Sequence, residues 1–529
     1  MFRRGGNVGS LVALSALLRG ESAAGTAVAA DTTRSTGLRV GKDIYQSIGV
    51  RPMVNARGTY TIISGSVMLP EVRDAIAEAA KHYVHLDELA EAVGARLAAL
   101  TEAEWGMVSS GCSAGLTHAT AACVAGGNPD LHVRIPDVSR FPKDEVIVPT
   151  HSRNVYDAAV RAVGVRIIEV ETPAELEAAL GPRTAMIYVL AGPAADESPL
   201  HTKAIAALAQ PRGVPILVDA AAEILTVPNV HLENGATLVA YSGGKCLRGP
   251  QTGGLVLGRK DLVRAAWVHS APHHGFARGL KVGKEEAIGM LMAVEMWVTR
   301  DHDAEWKRWT SWLEHIASRM SDIDGVTTTI VQPEGLSNRT PSVKVLWERE
   351  RLGMSGEAAS RALLDGEPRI ALHVARGDDN PSLTGVMVTP YMMADGEEQV
   401  VADRVHDLLS NPKREAVTPV ATPVADLSGS WDVQIEFAAS RSNHVLHLTQ
   451  RGKEINGAHQ GDFVSRDLSG TIDGDTIELR SRYTERHGDS LNFTFSGSVT
   501  ENEMGGTLDM GEYLDAKWTA TRRVNERRG

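Results

Sequence analysis

Tyr241-Ser242-Gly243-Gly244-Lys245-Cys246-Leu247-Arg248-Gly249-Pro250-Gln251 follows directly on the β-branched run Leu238-Val239-Ala240. A lysine on a glycine-rich loop at the end of a buried strand is held firmly enough to aim its amine. It also stays open enough to admit a reactant. The glycines let the backbone approach a bound group closely, and Ser242 offers a hydroxyl to a phosphate. Alone, Ser-Gly-Gly-Lys also fits an ordinary turn with an exposed lysine, so its neighbours decide the reading.

Upstream, Val218-Asp219-Ala220-Ala221 puts a carboxylate at the end of another buried run, 26 residues before Lys245. A lone aspartate there commonly caps a helix. Paired in this order with a lysine, it suits a protonated ring nitrogen that must remain an electron sink. Earlier still, Val108-Ser109-Ser110-Gly111-Cys112-Ser113-Ala114-Gly115 opens an alanine-rich helical stretch. Small residues at a helix start expose backbone N–H groups, and the helix dipole favours an anion there, although a tight turn would read the same. His151, in Pro149-Thr150-His151-Ser152, follows the run 146–148 and could stack on a flat ring; a surface loop histidine is the plainer reading. Phosphate cradle, carboxylate and lysine, in that order, point to pyridoxal 5'-phosphate (PLP) bound as a Schiff base on Lys245.

These segments, with Val54-Asn55-Ala56-Arg57-Gly58-Thr59-Tyr60 and Gly279-Leu280-Lys281-Val282-Gly283-Lys284-Glu285-Glu286, resemble the selenocysteine synthase-like branch of fold-type I PLP enzymes. That branch also contains D-glucosaminate-6-phosphate ammonia-lyase and is aminotransferase class V-like. The resemblance covers roughly residues 41–409, and Ser242 to Gly254 is its most specific part. It implies Lys245, Asp219 and His151 as catalytic residues. It makes Ser110, Gly111, Cys112, Ser113 and Ser242 cofactor contacts, together with Gln251 and Thr252 offered by a neighbouring chain. Arg57 and Arg248 are candidates for a substrate carboxylate, although either could equally be a packing arginine. It further implies a homodimer or higher homo-oligomer.

From 43 to 409 helix-like stretches alternate with short buried runs at 146–148, 166–170, 185–190, 216–218 and 238–240, the pattern of an α/β fold with a mostly parallel sheet. Helices are expected at 155–163 and 174–180, and a long helical region from 261 to 320. The expected organisation is a leader at 1–40, a PLP-binding large domain with an N-terminal arm at 41–320, and a small α/β domain at 321–410. A linker at 411–426 and an antiparallel β-barrel or sandwich at 427–524 complete it. Alternating segments such as Trp431-Asp432-Val433-Gln434-Ile435 and recurrent Gly-Asp and Asp-Gly turns carry the last assignment. This module is foreign to the family plan; a ligand-binding barrel and a mere cap both fit it.

The chain has 529 residues, 43% hydrophobic and 23% charged, with a formal net charge of -12 and no long basic block, which argues against a nucleic-acid partner. Only Cys112, Cys123 and Cys246 occur, so neither a disulfide framework nor a metal site is encoded. No apolar run reaches the roughly 20 residues of a membrane span. Arg3, Arg4 and the apolar stretch after them resemble an export signal or, equally, a disordered leader, leaving the chain cytoplasmic or exported.

The expected reaction is α,β-elimination from a small amino acid or amino-sugar acid, with Lys245 as covalent anchor and general base. Racemisation, transamination and seleniumtransferase-like transfer use the same residues. A non-catalytic scaffold with a binding barrel would need neither Asp219 nor Lys245, and a nicotinamide enzyme would need a GxGxxG turn that is missing.

Overall fold

The structure, a computed structural model, describes residues 37–378, 380–412 and 421–523. It divides into a short unit, Met1–Met53, and a main unit, Val54–Gly529. In the short unit, Gln46–Ile48 forms one 3-10 turn and Arg39 pairs with Asp43 at 2.6 Å. Most of the expected leader, and the middle of the expected linker, lie outside the described residues.

The main unit begins with β1 (Val54–Asn55) and builds its principal sheet from seven strands. These are β2 (Trp105–Ser109), β3 (Glu145–Pro149), β4 (Arg166–Val170), β5 (Thr184–Leu190), β6 (Ile216–Asp219), β7 (Leu238–Ser242) and β8 (Gly254–Gly258). Their order is β2-β8-β7-β6-β5-β3-β4. All neighbours are parallel except β8, which runs antiparallel to both β2 and β7. Because side chains alternate faces and helices cover both, the central strands are mostly apolar, with the polar residues Glu145, Thr184 and Asp219 at their ends. Ile147, Ile187, Val189, Ile216, Val218 and Val239 enter one core. Val146, Val148, Met186, Leu217 and Leu238 enter the other, against the almost wholly buried helix Cys112–Ala125.

A second sheet follows, with β9 (Val326–Val331), β10 (Ser342–Glu348), β11 (Ile370–Ala371), β12 (His373–Arg376) and β13 (Leu383–Val388). Four of these pair antiparallel in the order β12-β13-β10-β9, while β11 pairs with β1 in parallel and so ties the start of the main unit to this layer. Trp347, Val343, Val345 and Val388 pack it against the helices His302–Arg319 and Glu397–Ser410.

The expected long helical region over 261–320 consists of separate helices. Lys260–Trp267 ends before Pro272 and Gly275, a 3-10 turn Phe276–Leu280 follows, and Gly283 caps Lys284–Thr299 ahead of His302–Arg319. The expected helix over 155–163 is likewise a 3-10 turn Val155–Asp157 followed by one turn at Ala158–Arg161. Glycine and proline break the first region, and in the second the Asn154 side chain caps a 3-10 turn by accepting the Tyr156 N–H.

The C-terminal module resolves the choice between barrel and sandwich. Its strands are β14 (Gly429–Glu436), β15 (Arg441–Arg451), β16 (Glu454–Gln460), β17 (Ser465–Asp473), β18 (Thr476–Thr484), β19 (Ser490–Val499), β20 (Glu503–Asp509) and β21 (Asp515–Arg522). Each pairs antiparallel with the next, and β14 with β21, so the barrel is closed and has no edge. Trp431, Phe495 and Trp518 fill its interior. Among the described residues no helix is long and apolar enough to cross a membrane.

Candidate active site

Parallel pairing brings the carboxyl ends of β3, β5, β6 and β7 to one edge of the sheet, where ligands bind in open α/β folds. Asp219 ends β6 and is only 2% exposed. Its Oδ1 accepts the Ala221 N–H at 3.1 Å and the Cys112 thiol at 3.5 Å, and its Oδ2 accepts the Tyr188 hydroxyl at 3.0 Å. The Tyr188 oxygen in turn accepts Asn154 Nδ2–H at 3.0 Å, which commits its single proton to Asp219. Burial pushes the Asp219 carboxyl above its ordinary value, while these donors and the nearby Lys245 charge oppose the rise. Burial, followed by the Asp219 charge, holds the Cys112 thiol protonated and so able to donate.

Lys245 sits half-buried on the loop between β7 and β8. The loop closes on itself: Gly243 N–H donates to Gly253 O at 2.8 Å, Gly249 N–H to Gly243 O at 2.8 Å, and Arg248 N–H to Lys245 O at 2.9 Å. Arg248 adopts a left-handed backbone with φ 54°, a conformation uncommon outside glycine. Such strain persists where surrounding contacts fix it and clusters at functional loops.

Facing this loop, Gly111 caps the helix Cys112–Ala125 with φ 87°. A Cβ on Gly111 would meet nothing within 4 Å, so the backbone fronts open space. The first-turn amides that follow have no intrahelical acceptor. His151 lies in the 3-10 turn Thr150–Ser152 after β3. Its Nδ1 is 3.0 Å from Ser152 Oγ, its Nε2 is buried without a partner, and burial lowers its pKa. An open helix start, a neutral imidazole with an orphaned nitrogen, and a buried carboxylate beside a lysine fit PLP.

Other expected residues fall in different places. The Ser110 hydroxyl is committed to Leu280 O at 2.9 Å, which leaves its backbone for an anion. Ser113 is exposed, and Ser242 is half-buried at the end of β7. Gln251 and Thr252 are exposed, with the Gln251 amide lying against Gly65 and Gly244. Arg248 points its Nε at Val67 O at 3.0 Å, away from a substrate role at that nitrogen. Arg57 stacks on Tyr60 at 4.6 Å and keeps a buried Nε without a partner. Its loop is fixed by Asn55, which accepts the N–H of Arg57 and Gly58 and donates to Gly58 O and Gly65 O.

Sequence reasoning missed Tyr188, Asn154, His373 and Tyr391. Tyr391 brings the second sheet onto the Arg57 loop, with its hydroxyl 3.0 Å from Thr59 Oγ1, and His373 meets Tyr60 edge-on at 5.0 Å. The available signal for Tyr188 was a hydroxyl near the carboxyl end of a mostly apolar strand. Among the described residues no cluster of three or more His, Cys, Asp or Glu side chains is arranged to hold a metal ion.

Comparison with known proteins gives a consistent result. The chain is 30% identical over 375 residues to the D-glucosaminate-6-phosphate ammonia lyase of Salmonella typhimurium, covering 69% of this chain and 98% of that protein. It is 32% identical over 382 residues to the 5'-C-glycyluridine monooxygenase-decarboxylase of a Streptomyces species, covering 69% and 92%. It is 27% identical over 273 residues to the L-seryl-tRNA(Sec) selenium transferase of Moorella thermoacetica, covering 44% and 53%. A solved structure of D-glucosaminate-6-phosphate ammonia-lyase superposes with a TM-score of 0.61 at 29% identity, covering 69% of this chain and 98% of that one. No family model matches.

Proposed function

We propose, from the premise that this chain belongs to the fold-type I pyridoxal-phosphate family of D-glucosaminate-6-phosphate ammonia lyase, that it releases ammonia from a small amino-sugar acid or hydroxylated amino acid. The family membership makes it a PLP-dependent enzyme; the substrate and the residue roles are the proposal. The observation that carries it is the buried Asp219, with both oxygens hydrogen-bonded, beside Lys245 at the strand ends.

When bound, PLP supplies an electron sink for charge developing at the substrate Cα. Lys245 Nζ anchors the cofactor and, once freed by substrate, takes the Cα proton. Asp219 would hold a proton on the ring nitrogen; Cys112 and Tyr188 donate to Asp219, and Asn154 holds Tyr188. The amides after Gly111 and the Ser242 hydroxyl would hold the phosphate, and His151 would supply a flat face for the ring. Arg57, with its spare Nε, receives the substrate's acidic group. Loss of a β-hydroxyl as water, then hydrolysis by water, returns ammonia and a 2-keto acid.

The test is product analysis on D-glucosaminate, its 6-phosphate and a panel of β-hydroxy amino acids. Equimolar ammonia and 2-keto acid, without an amino acceptor and absent in Lys245→Ala, supports the proposal. Carbon dioxide release, which the name of the Streptomyces relative makes the specific rival, or an inverted but intact substrate contradicts it. We also propose a homodimer in which the exposed Gln251 and Thr252 reach the neighbouring site; light scattering on the holoenzyme checks this.

A further inference from the structure

One end of the barrel is chemically unlike the rest. Trp431, Phe495 and Trp518 close its body, but beyond them the inward positions turn polar: His444 on β15, His459 on β16, Arg466 on β17 and Ser481 on β18. Arg466 is 7% exposed, and its Nε and NH1 have no hydrogen-bond acceptor. Among the described residues no carboxylate comes within ion-pair distance of it; Asp462 and Glu485 act only from farther away. Its guanidinium lies 4.4 Å over the half-buried Phe493 ring. A buried, unpaired guanidinium is costly and calls for an anion.

The histidines fix the donors around it. Ser481 Oγ is 2.7 Å from His459 Nδ1, His459 Nε2 is 2.8 Å from His444 Nδ1, and His444 Nε2 faces Asp462 Oδ2 at 3.6 Å, too far for a hydrogen bond. A carboxylate opposite Nε2 favours the proton there, so His444 Nδ1 accepts from His459 and His459 Nδ1 accepts from Ser481. Both rings are then neutral, in accord with the burial that lowers His444 and, with His444 and Arg466 beside it, pushes His459 down to about 3. The turn over this end is short, with Gly461 N–H on Val464 O at 2.9 Å, and it leaves Phe463 97% exposed.

We propose that this end of the barrel binds a small organic monocarboxylate, its carboxylate on Arg466 and its apolar body against Phe493. One formal positive charge, neutral histidines, and Asp462 and Glu485 close by favour a monoanion over phosphate, and the planar guanidinium matches a carboxylate edge. The Gly461–Val464 turn is the part that must swing aside. Calorimetry of the full-length holoenzyme with benzoate tests this, with inorganic phosphate and the Arg57→Gln holoenzyme alongside. The expected result is one benzoate per chain, lost in Arg466→Gln and weakened about tenfold in Arg466→Lys. Binding should persist in Arg57→Gln, turnover should be unchanged in both Arg466 variants, and the melting temperature should not fall in Arg466→Gln, which removes an unpaired buried charge. Absence of benzoate binding, binding that follows Arg57 rather than Arg466, or preferential uptake of phosphate would overturn the proposal.

Discussion

Tyr188 illustrates how one hydroxyl can govern the candidate site. Its proton is directed to Asp219 because Asn154 occupies its acceptor side, so Tyr188→Phe removes a charge-assisted donor from a carboxylate that burial already drives toward its neutral form. Hydrogen bonds to charged groups contribute about 1.5–3 kcal/mol, so kcat is expected to fall about ten- to a hundredfold with weaker cofactor binding; steady-state kinetics and a cofactor titration check both. Lys245 and Asp219 were legible in the sequence because each ends a buried run and their order is restrictive. Tyr188 was not, because a tyrosine within Thr184–Leu190 reads as core until the neighbouring strand brings Asp219 to it. For Arg248 the charge is visible in sequence, but the bond of its Nε to the Val67 carbonyl is not.

At the scale of elements, β8 couples the lysine loop to the helix start. A Cβ placed on Gly254 would lie 2.3 Å from the Gly111 carbonyl carbon and 2.6 Å from Ser109 Oγ, backbone and side chain that cannot both yield. Gly254→Ala is therefore expected to shift the loop before the helix Cys112–Ala125 and weaken cofactor binding by about tenfold or more, roughly 1.4 kcal/mol. A titration of cofactor-free protein measures this, with circular dichroism showing that the fold persists; unaltered affinity would contradict the coupling. The parallel strands were readable as apolar runs. The edge pair β2 and β8, and the breaks within 261–320, were not, since antiparallel return and helix interruption depend on contacts distant in sequence.

For the whole molecule, alternation and turn dipeptides announced an antiparallel C-terminal module, but closure required β14 to meet β21 from Trp431 opposite Arg522 to Glu436 opposite Lys517, which no local pattern records. Buried histidines set a global pH response. Burial lowers His118 to about 4, and burial with the neighbouring His132 and His118 lowers His269 to about 3. Both are neutral when folded, whereas the unfolded chain takes up protons below about 6.5. The stability they contribute is present above that value and is lost as pH falls toward the folded values. Scanning calorimetry should show a melting temperature that drops between pH 6.5 and 4.5, with a smaller drop in His269→Phe; an identical drop would contradict the assignment. The central claim, that Lys245 holds the cofactor, is tested most directly by borohydride reduction of the holoenzyme and peptide mapping by mass spectrometry. The account predicts pyridoxyl mass on the peptide carrying Lys245, none in Lys245→Ala, and a fall in turnover of about 10²–10⁴-fold in that variant. Cofactor fixed to a different lysine, or a Lys245→Ala protein that still turns over normally, would contradict it.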